Sequence, residues 1–480
     1  MFNLFRSEKP SLGLVYFEQV APSGAKMTAR LRAAGMEVAP AGKGSKEATA
    51  ADSEWALELS HPQHGKATVL FSKGGPPAIG FLEFSQALTN QERQAAVGAT
   101  EAALVMVPAE RKHVLRDRKR LLGFMRALMG DDGVLAVDLA SGMPWSPAAL
   151  DDELAHDADL DPEALYVFHA VQEGEGGKGG CEEGENCEEG EGGEGRCAGC
   201  GRSAPVTWLH THGLAELGGF DLDILRPNEL VVQRANDPLR AMAFAMLEGK
   251  ISESTASFPL IIPDGAVRLV PAAEFMREAS PEDRALRQME PETDDAHNEN
   301  RAVVCEPAGK GRLRSGKPEP SRLLSRDFDD GSMLAFTAAG TDLMAERARG
   351  TVGVFRRLMA EFADLGVNPL VKLGFETSQP GSNEHLWFLV HPEGAEGSAA
   401  PEGSAVTNTV DCTLINEPFD VAGMHEGLRA RQSLDRLTDW TIVTPAGWIS
   451  PRTQLPARQL RALPPEARAE LAALVRESKE

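Results

Sequence analysis

The sequence lacks the features that define several large classes of protein. No stretch approaches the roughly 18 consecutive apolar residues that a membrane-spanning helix needs. The opening segment, MFNLFRSEKP, contains no apolar run of signal-peptide length and no cleavage pattern. Cysteine is scarce, with six residues in a chain of 480, and four of them crowd into one glycine-rich stretch, unlike a secreted disulfide framework. We therefore expect a cytoplasmic protein that does not interact with membranes.

Positive charge is also scarce. The 49 lysines and arginines face 72 aspartates and glutamates, which gives a formal net charge of −23. A surface that binds nucleic acid needs clustered lysines and arginines, because much of its affinity comes from displacing counterions from phosphates. The composition therefore argues against nucleic acid as a partner and favours a protein partner, in particular a basic one.

The pattern of apolar residues predicts an α+β protein. Alternation predicts strands at 206–212 and 221–225, while apolar stripes of helical spacing predict helices at 111–129 and 341–364. No regular repeat of strand, helix and strand appears, so a doubly wound parallel sheet is not expected. The fold class that we predict is α+β, with an N-terminal mixed α/β-sheet region and a smaller C-terminal domain of one long helix and a curved antiparallel sheet.

Composition suggests where the domains begin and end. The stretch at 281–330 is dominated by proline, charged residues and glycine, which is typical of a linker. The predicted parts are an N-terminal α+β region of one or two lobes at 1–280, with a disordered acidic cysteine loop at 172–204, a linker-like stretch at 281–330, a C-terminal α+β domain at 331–460, and a terminal helix at 461–480.

The acidic loop carries the first candidate metal site. Glutamate and glycine dominate it, and both charge repulsion and glycine entropy oppose folding. It also contains Cys181, Cys187, Cys197 and Cys200, and the sequence Cys-Ala-Gly-Cys-Gly has the form of a zinc knuckle. Four thiolates would make a closed, structural zinc site. The wide spacing of the first pair leaves two alternatives open, a disordered insert with incidental cysteines and a redox pair.

A second candidate metal site lies on the predicted strand Val-Thr-Trp-Leu-His-Thr-His at 206–212. Alternation along a strand places Trp208, His210 and His212 on one face. Two histidines spaced this way can begin a metal site, and His169 on the preceding predicted strand could be a third ligand. The alternative is structural, with the histidines bonded to backbone groups and Trp208 in the core, because no H-x-H-x-D-H or H-E-x-x-H pattern completes the site.

Three motifs in the C-terminal part occur in order: Glu-His-Leu-Trp ending at Trp387, Leu-Ile-Asn-Glu-Pro around Asn416, and Leu-Thr-Asp-Trp with Asp439 and Trp440. Over residues 335–450 the chain resembles the YegJ-like domain of unknown function. The resemblance implies a small α+β domain. From the residues themselves we expect Trp387 and Trp440 to anchor a curved sheet, Asp439 to bond a turn and Asn416 to end a strand. The alternative is that these four residues bind a partner. The first 275 or so residues resemble another uncharacterised bacterial family. Neither resemblance implies an activity, although related small domains occur in toxin-immunity systems.

No complete catalytic motif is present. The chain has no G-x-S-x-G elbow and no G-x-G-x-x-G after a predicted strand. The leading hypothesis is therefore a non-enzymatic protein-binding module, which would engage a basic partner in the manner of an immunity protein. The alternative is a metal-dependent enzyme of the hydrolase class that uses His210 and His212 and keeps an open metal position. A structural zinc is the one cofactor that the sequence suggests.

Overall fold

The structure, a computed structural model, contains three β-sheets with helices packed against them. It describes residues 10–18, 20–41, 53–72, 85, 87–172, 206–217, 219–251, 257–262, 265–287, 300–307, 317–329, 331–391 and 408–477. The predicted α+β class is confirmed. Within the described ranges, none of the helices combines the length and the apolar composition that crossing a bilayer demands.

The chain folds into two compact units. The first consists of Met1–Leu139, Met143–Ala164 and Thr341–Glu480, and the second of Ala140–Gly142 and Leu165–Gly340. The chain thus leaves the first unit, builds the second, and returns. The N-terminal and C-terminal parts, which the sequence suggested were separate, belong to one unit.

The first unit begins with a seven-stranded antiparallel sheet. Its strands are β1 (Ser11–Phe17), β2 (Glu37–Pro40), β3 (Ser53–His61), β4 (Gly65–Ser72), β5 (Glu101–Val107), β6 (Gly133–Asp138) and β7 (Pro144–Trp145). Their order is β2-β3-β4-β5-β1-β6-β7. The helices of this part are α1 (Gly24–Ala33), α2 (Asn90–Val97), α3 (Val114–Met129) and α4 (Pro147–Leu154).

Helix α3 confirms the predicted helix at 111–129, with a short 3₁₀ turn replacing its first residues. Its apolar side, including Leu121, Phe124 and Leu128, is fully buried. Its basic residues form ion pairs, for example Arg118 with Asp138 in the core. A guanidinium is tolerated there because the carboxylate compensates its charge.

The second unit contains a mixed seven-stranded sheet. Its strands are β8 (Val167–Gln172), β9 (Val206–His212), β10 (Asp221–Leu225), β11 (Phe258–Ile262), β12 (Gly265–Pro271), β13 (Arg301–Cys305) and β14 (Met333–Leu334). Their order is β14-β11-β12-β13-β10-β9-β8, and only the pairing of β10 with β13 is parallel among the described strands. The helices are α5 (Glu229–Gln233), α6 (Asn236–Leu247), α7 (Ala272–Glu278) and α8 (Pro281–Arg287).

The stretch at 281–330 is not simply a linker. It contains α8 and β13, and every residue of Arg301–Cys305 is buried in the middle of the sheet. The charged composition was misleading because Arg287 and Arg301 are themselves buried and paired with a carboxylate. Part of the predicted stretch, including 308–316, lies outside the described residues.

The third sheet completes the first unit. Its strands are β15 (Asn368–Glu376), β16 (Asn383–Val390), β17 (Thr409–Leu414), β18 (Arg429–Ser433), β19 (Leu437–Thr444) and β20 (Gly447–Ile449), in the antiparallel order β18-β17-β16-β15-β19-β20. The helices are α9 (Ala338–Gly350), α10 (Val352–Glu361), α11 (Leu455–Arg461) and α12 (Pro465–Glu477).

The single helix predicted at 341–364 is two consecutive helices. The break falls at Thr351, whose hydroxyl donates to the carbonyl of Arg347 at 2.8 Å and accepts the indole N–H of Trp440 at 2.9 Å. Thr351 therefore competes with the regular helical hydrogen bonds, as threonine often does. Beyond the break, Phe355 and Leu358 pack into the core of the third sheet.

Candidate metal centre

Three histidines meet on one face of the second sheet. His169 lies on β8, and His210 and His212 lie on β9. The antiparallel register places His169 directly opposite His210. Because alternate residues of a strand share a face, all three imidazoles project from the same side. The structure thus brings together the two histidines of the His-x-His motif and the third that the sequence suggested.

The distances suit a single small ion. One nitrogen from each imidazole can be chosen so that all three lie within 4.8 Å of one another. The ring centroids form a nearly equilateral triangle, with sides of 5.2, 5.1 and 5.1 Å. A tetrahedral zinc bonded at about 2.05 Å to each nitrogen would hold the nitrogens about 3.4 Å apart. The imidazole nitrogens would therefore have to move closer to one another by up to about 1.4 Å to bind one zinc ion.

The three histidines differ in their exposure to solvent. His210 is fully buried, His212 is half-buried and His169 is exposed. An ion held by the three would be enclosed by protein on the His210 side and reached by water on the His169 side. Three protein ligands with one accessible position are the arrangement of catalytic zinc sites, whereas structural sites are closed.

Neighbouring side chains hold the cluster in place. The ring of Trp208 meets that of His210 edge to face, with 4.5 Å between centroids. Asp223 lies directly opposite His210 on the neighbouring strand β10, and its side chain is fully buried. Its two carboxylate oxygens accept from Arg287 and Arg301, each at 2.7 Å. Asp223 is therefore committed to two guanidinium groups and serves as support for the strands.

Arg301 also holds the backbone between His210 and His212 on β9. Arg301 donates from its second nitrogen to the carbonyl of Thr211 at 2.8 Å. Sequence reasoning missed this support, because Arg287 and Arg301 fall in the predicted linker. An available signal was Asp223, in the apolar strand Asp-Leu-Asp-Ile-Leu, since a buried carboxylate demands a buried cation or several donors.

The end of β9 is shaped by Gly213 and Asp221. Gly213 has φ +102°, and a Cβ at this position would overlap the carbonyl oxygen of Leu165. One carboxylate oxygen of Asp221 accepts from the hydroxyl of Thr211 at 3.1 Å and from the amide of Leu214 at 2.9 Å. The chain therefore turns tightly directly after His212, and Asp221 bonds to the residues before and after the turn.

The predicted four-thiolate site lies outside the described residues, which resume at 206 after 172. The two cysteines that the structure does place, Cys305 and Cys412, are buried and unbridged. Burial raises the pKa of the Cys412 thiol to about 12 and that of Cys305 still further. Both thiols stay protonated at neutral pH and act as small apolar side chains.

The residues suggested by the C-terminal motifs make mostly structural contacts. Trp440 is buried and bonded to Thr351, and the Asn416 side chain accepts from the amide of Trp387 at 2.8 Å. Asp439 accepts from the amide of Trp440 at 2.9 Å and pairs with Arg452 at 3.3 Å. Trp387 lies on the face of the sheet opposite to Trp440, where the ammonium of Lys372 is 5.5 Å from its ring centroid. These motif residues do not converge on a catalytic centre.

Comparisons of the chain with protein-family models, with curated proteins and with solved structures give no match. The resemblance to the YegJ-like domain and the suggestion of an immunity role therefore stay predictions.

Proposed function

We propose that this protein binds one divalent transition-metal ion, with zinc the expected species, through His169, His210 and His212. The observation that supports the proposal is the convergence of these three imidazoles within 4.8 Å on one sheet face. Imidazole is a ligand that zinc, copper, iron and nickel all accept, whereas magnesium and calcium prefer oxygen.

The proposed centre favours the hydrolase alternative over a purely structural ion. A zinc with three protein ligands keeps one position for water and lowers the pKa of that water to about 7. The metal would therefore supply a hydroxide nucleophile at neutral pH. The exposed His169 leaves that side of the cluster accessible to a substrate, while buried His210 keeps the ligands oriented.

Metal content tests the proposal. The chain contains a competing candidate in the four loop cysteines, so the measurement begins from a variant in which Cys181, Cys187, Cys197 and Cys200 are all replaced by serine. We expect that variant to retain one equivalent of zinc per chain by elemental analysis. Adding His169→Ala should remove it, because two imidazoles bind zinc much more weakly than three.

The control is His425→Ala in the same background. His425 is exposed and lies in the other compact unit, so its removal should leave the zinc content unchanged. His169 is the informative ligand to remove because it is exposed, whereas loss of the fully buried His210 could unfold the unit. Zinc retained at one equivalent in the His169→Ala variant would contradict the proposal.

Activity tests the enzymatic part separately. Ester and phosphoester substrates with a chromogenic leaving group should be hydrolysed by the zinc-loaded protein and not after chelation. Activity should return when zinc is added back, and the His169→Ala variant should show none. Stoichiometric zinc without hydrolysis of either substrate class would leave a metal-binding protein and would count against the hydrolase interpretation.

A further inference from the structure

Phe419 is almost completely exposed, at 96% of its full accessible surface. It lies in the loop at 415–428 that connects β17 and β18. Ile415, at the start of the same loop, is also exposed. Aromatic side chains are concentrated at the energetic centres of protein interfaces, where one ring fills an apolar pocket of the partner. Single exposed apolar residues are common, so exposure alone does not mark a docking site.

The backbone on both sides of the Phe419 ring is firmly held. One carboxylate, that of Glu384 on β16, accepts from the amide of Phe419 at 2.7 Å and from the amide of Asp420 at 2.8 Å. The Asp420 side chain accepts in turn from the hydroxyl of Ser378 at 2.6 Å. The backbone that carries the ring is therefore held before any partner binds, which reduces the conformational entropy that binding would lose.

The surroundings of Phe419 are acidic. The loop contains Glu417, Asp420 and Glu426, and it contains no lysine or arginine. Glu417 and Glu426 are exposed, and Glu384 adds a fourth carboxylate beneath the loop. Asp411 neutralises the next arginine along the chain, Arg429, at 2.6 Å. The loop that presents the exposed ring therefore carries acidic side chains and no lysine or arginine.

We propose that the Phe419 loop is a docking site for a basic protein, which presents an apolar pocket bordered by lysines or arginines. Charge complementarity selects this class of partner, because an acidic rim repels acidic surfaces and attracts basic ones. The proposal does not depend on the metal centre. It gives a specific location to the basic partner that the net charge of −23 favours.

The experiment uses a photo-crosslinking amino acid, p-benzoylphenylalanine, placed at position 419 of the full chain in its native cells. A matched probe at Leu474, exposed at 63% on α12, reports on unspecific neighbours. Any protein captured at 419 and not at 474 is then purified and titrated against the unmodified chain. We expect a basic protein. A second copy of this chain, an acidic protein, or no specific adduct at 419 would overturn the proposal.

Titrations with variants test the role of the ring and the rim. Phe419→Ala should weaken binding of the purified partner by at least about 30-fold, the effect expected of a central anchor. Leu474→Ala should leave the affinity unchanged. Glu426→Lys should weaken binding and flatten its dependence on salt, because it removes an attractive charge from the rim. Equal affinities for the Phe419→Ala and Leu474→Ala variants would overturn the proposal even if a partner is found.

Discussion

Arg347 and Glu153 form a buried, two-point ion pair although 194 residues separate them along the chain. The guanidinium nitrogens lie 3.2 and 2.8 Å from the two carboxylate oxygens. Arg347 also donates to the carbonyls of Asp159 at 2.6 Å and Pro451 at 2.8 Å. The pair joins α4, from the N-terminal part, to α9, from the C-terminal part, and is one of the contacts that hold these parts in one compact unit.

Replacing Arg347 by methionine should strongly destabilise that unit. The change leaves the Glu153 carboxylate buried, with Lys119 at 3.5 Å as its remaining cation. Removing one partner of a buried pair typically lowers the free energy of unfolding by about 3–5 kcal/mol. Urea denaturation followed by circular dichroism measures the loss.

An exposed ion pair provides the control for Arg347→Met. Lys112 lies 3.1 Å from Glu110, and both side chains are largely in solvent. Lys112→Ala should leave the free energy of unfolding nearly unchanged, because water and salt screen such pairs. Similar losses for the two variants would show that the buried pair does not fasten the unit.

His156, in the same network, should make the first unit sensitive to acid. Burial lowers its pKa from 6.5 to about 4, although Glu153 acts in the opposite direction. Lys119 lies 3.3 Å from its Nδ1, which keeps the imidazole neutral. The unfolded chain takes up a proton below about pH 6.5 and the folded protein only near pH 4, so stability falls as the pH drops between these values. The loss from this residue should reach about 2–3 kcal/mol at pH 4.5.

His156→Asn tests this assignment, because asparagine offers an acceptor oxygen without titrating. Urea midpoints at pH 7.5 and pH 4.5 should differ less for this variant than for the unmodified protein. His425→Asn, at an exposed position, should keep the full difference. An unchanged pH dependence in the His156→Asn variant would assign the acid sensitivity to other groups.

Local elements could be predicted well from the sequence. The strands at 206–212 and 221–225 have the predicted bounds. In each, apolar residues alternate over a short stretch, and a residue with positive φ follows, Gly213 in the first and Arg226 in the second. The return of the chain to the first unit could not be predicted. It depends on contacts such as Arg458 with Glu92 at 3.2 Å, whose partners carry no local signature of one another.

The candidate site was partly predictable for a similar reason. The spacing of His210 and His212 defines a shared face on any strand. The position of His169 depends instead on the register between β8 and β9, which a long insert separates in the sequence. The supporting arginines could not be recognised from the sequence, because they lie in a charged stretch that is typical of a linker. Arg287 and Arg301 can be buried only because each pairs with Asp223, which is distant in the sequence.

Trp440 and Thr351 should behave as a coupled pair in the core of the third sheet. The indole N–H donates to the threonine hydroxyl at 2.9 Å, and the ring centroid lies 5.4 Å from that of Phe355. Trp440→Phe and Thr351→Val each remove this hydrogen bond and should each lower the free energy of unfolding by about 1–3 kcal/mol. The double variant should lose less than the sum, because the bond can be removed only once. Strictly additive losses in urea denaturation would show that the hydrogen bond contributes nothing.

Gly213→Ala should disturb the proposed metal centre without touching a ligand. At φ +102° the new Cβ would overlap the carbonyl of Leu165, so the backbone directly after His212 must move. Gly249, in the same unit, has φ +68° and open space around its Cβ position, so Gly249→Ala should cost only the strain of the left-handed conformation, about 1–2 kcal/mol. We expect Gly213→Ala to cost more and to weaken zinc binding, while Gly249→Ala leaves zinc binding unchanged. Both variants are made in the background with the four loop cysteines replaced by serine, and isothermal titration with zinc and urea denaturation measure the two effects. Equal zinc affinities in the two variants would show that the turn does not position His212.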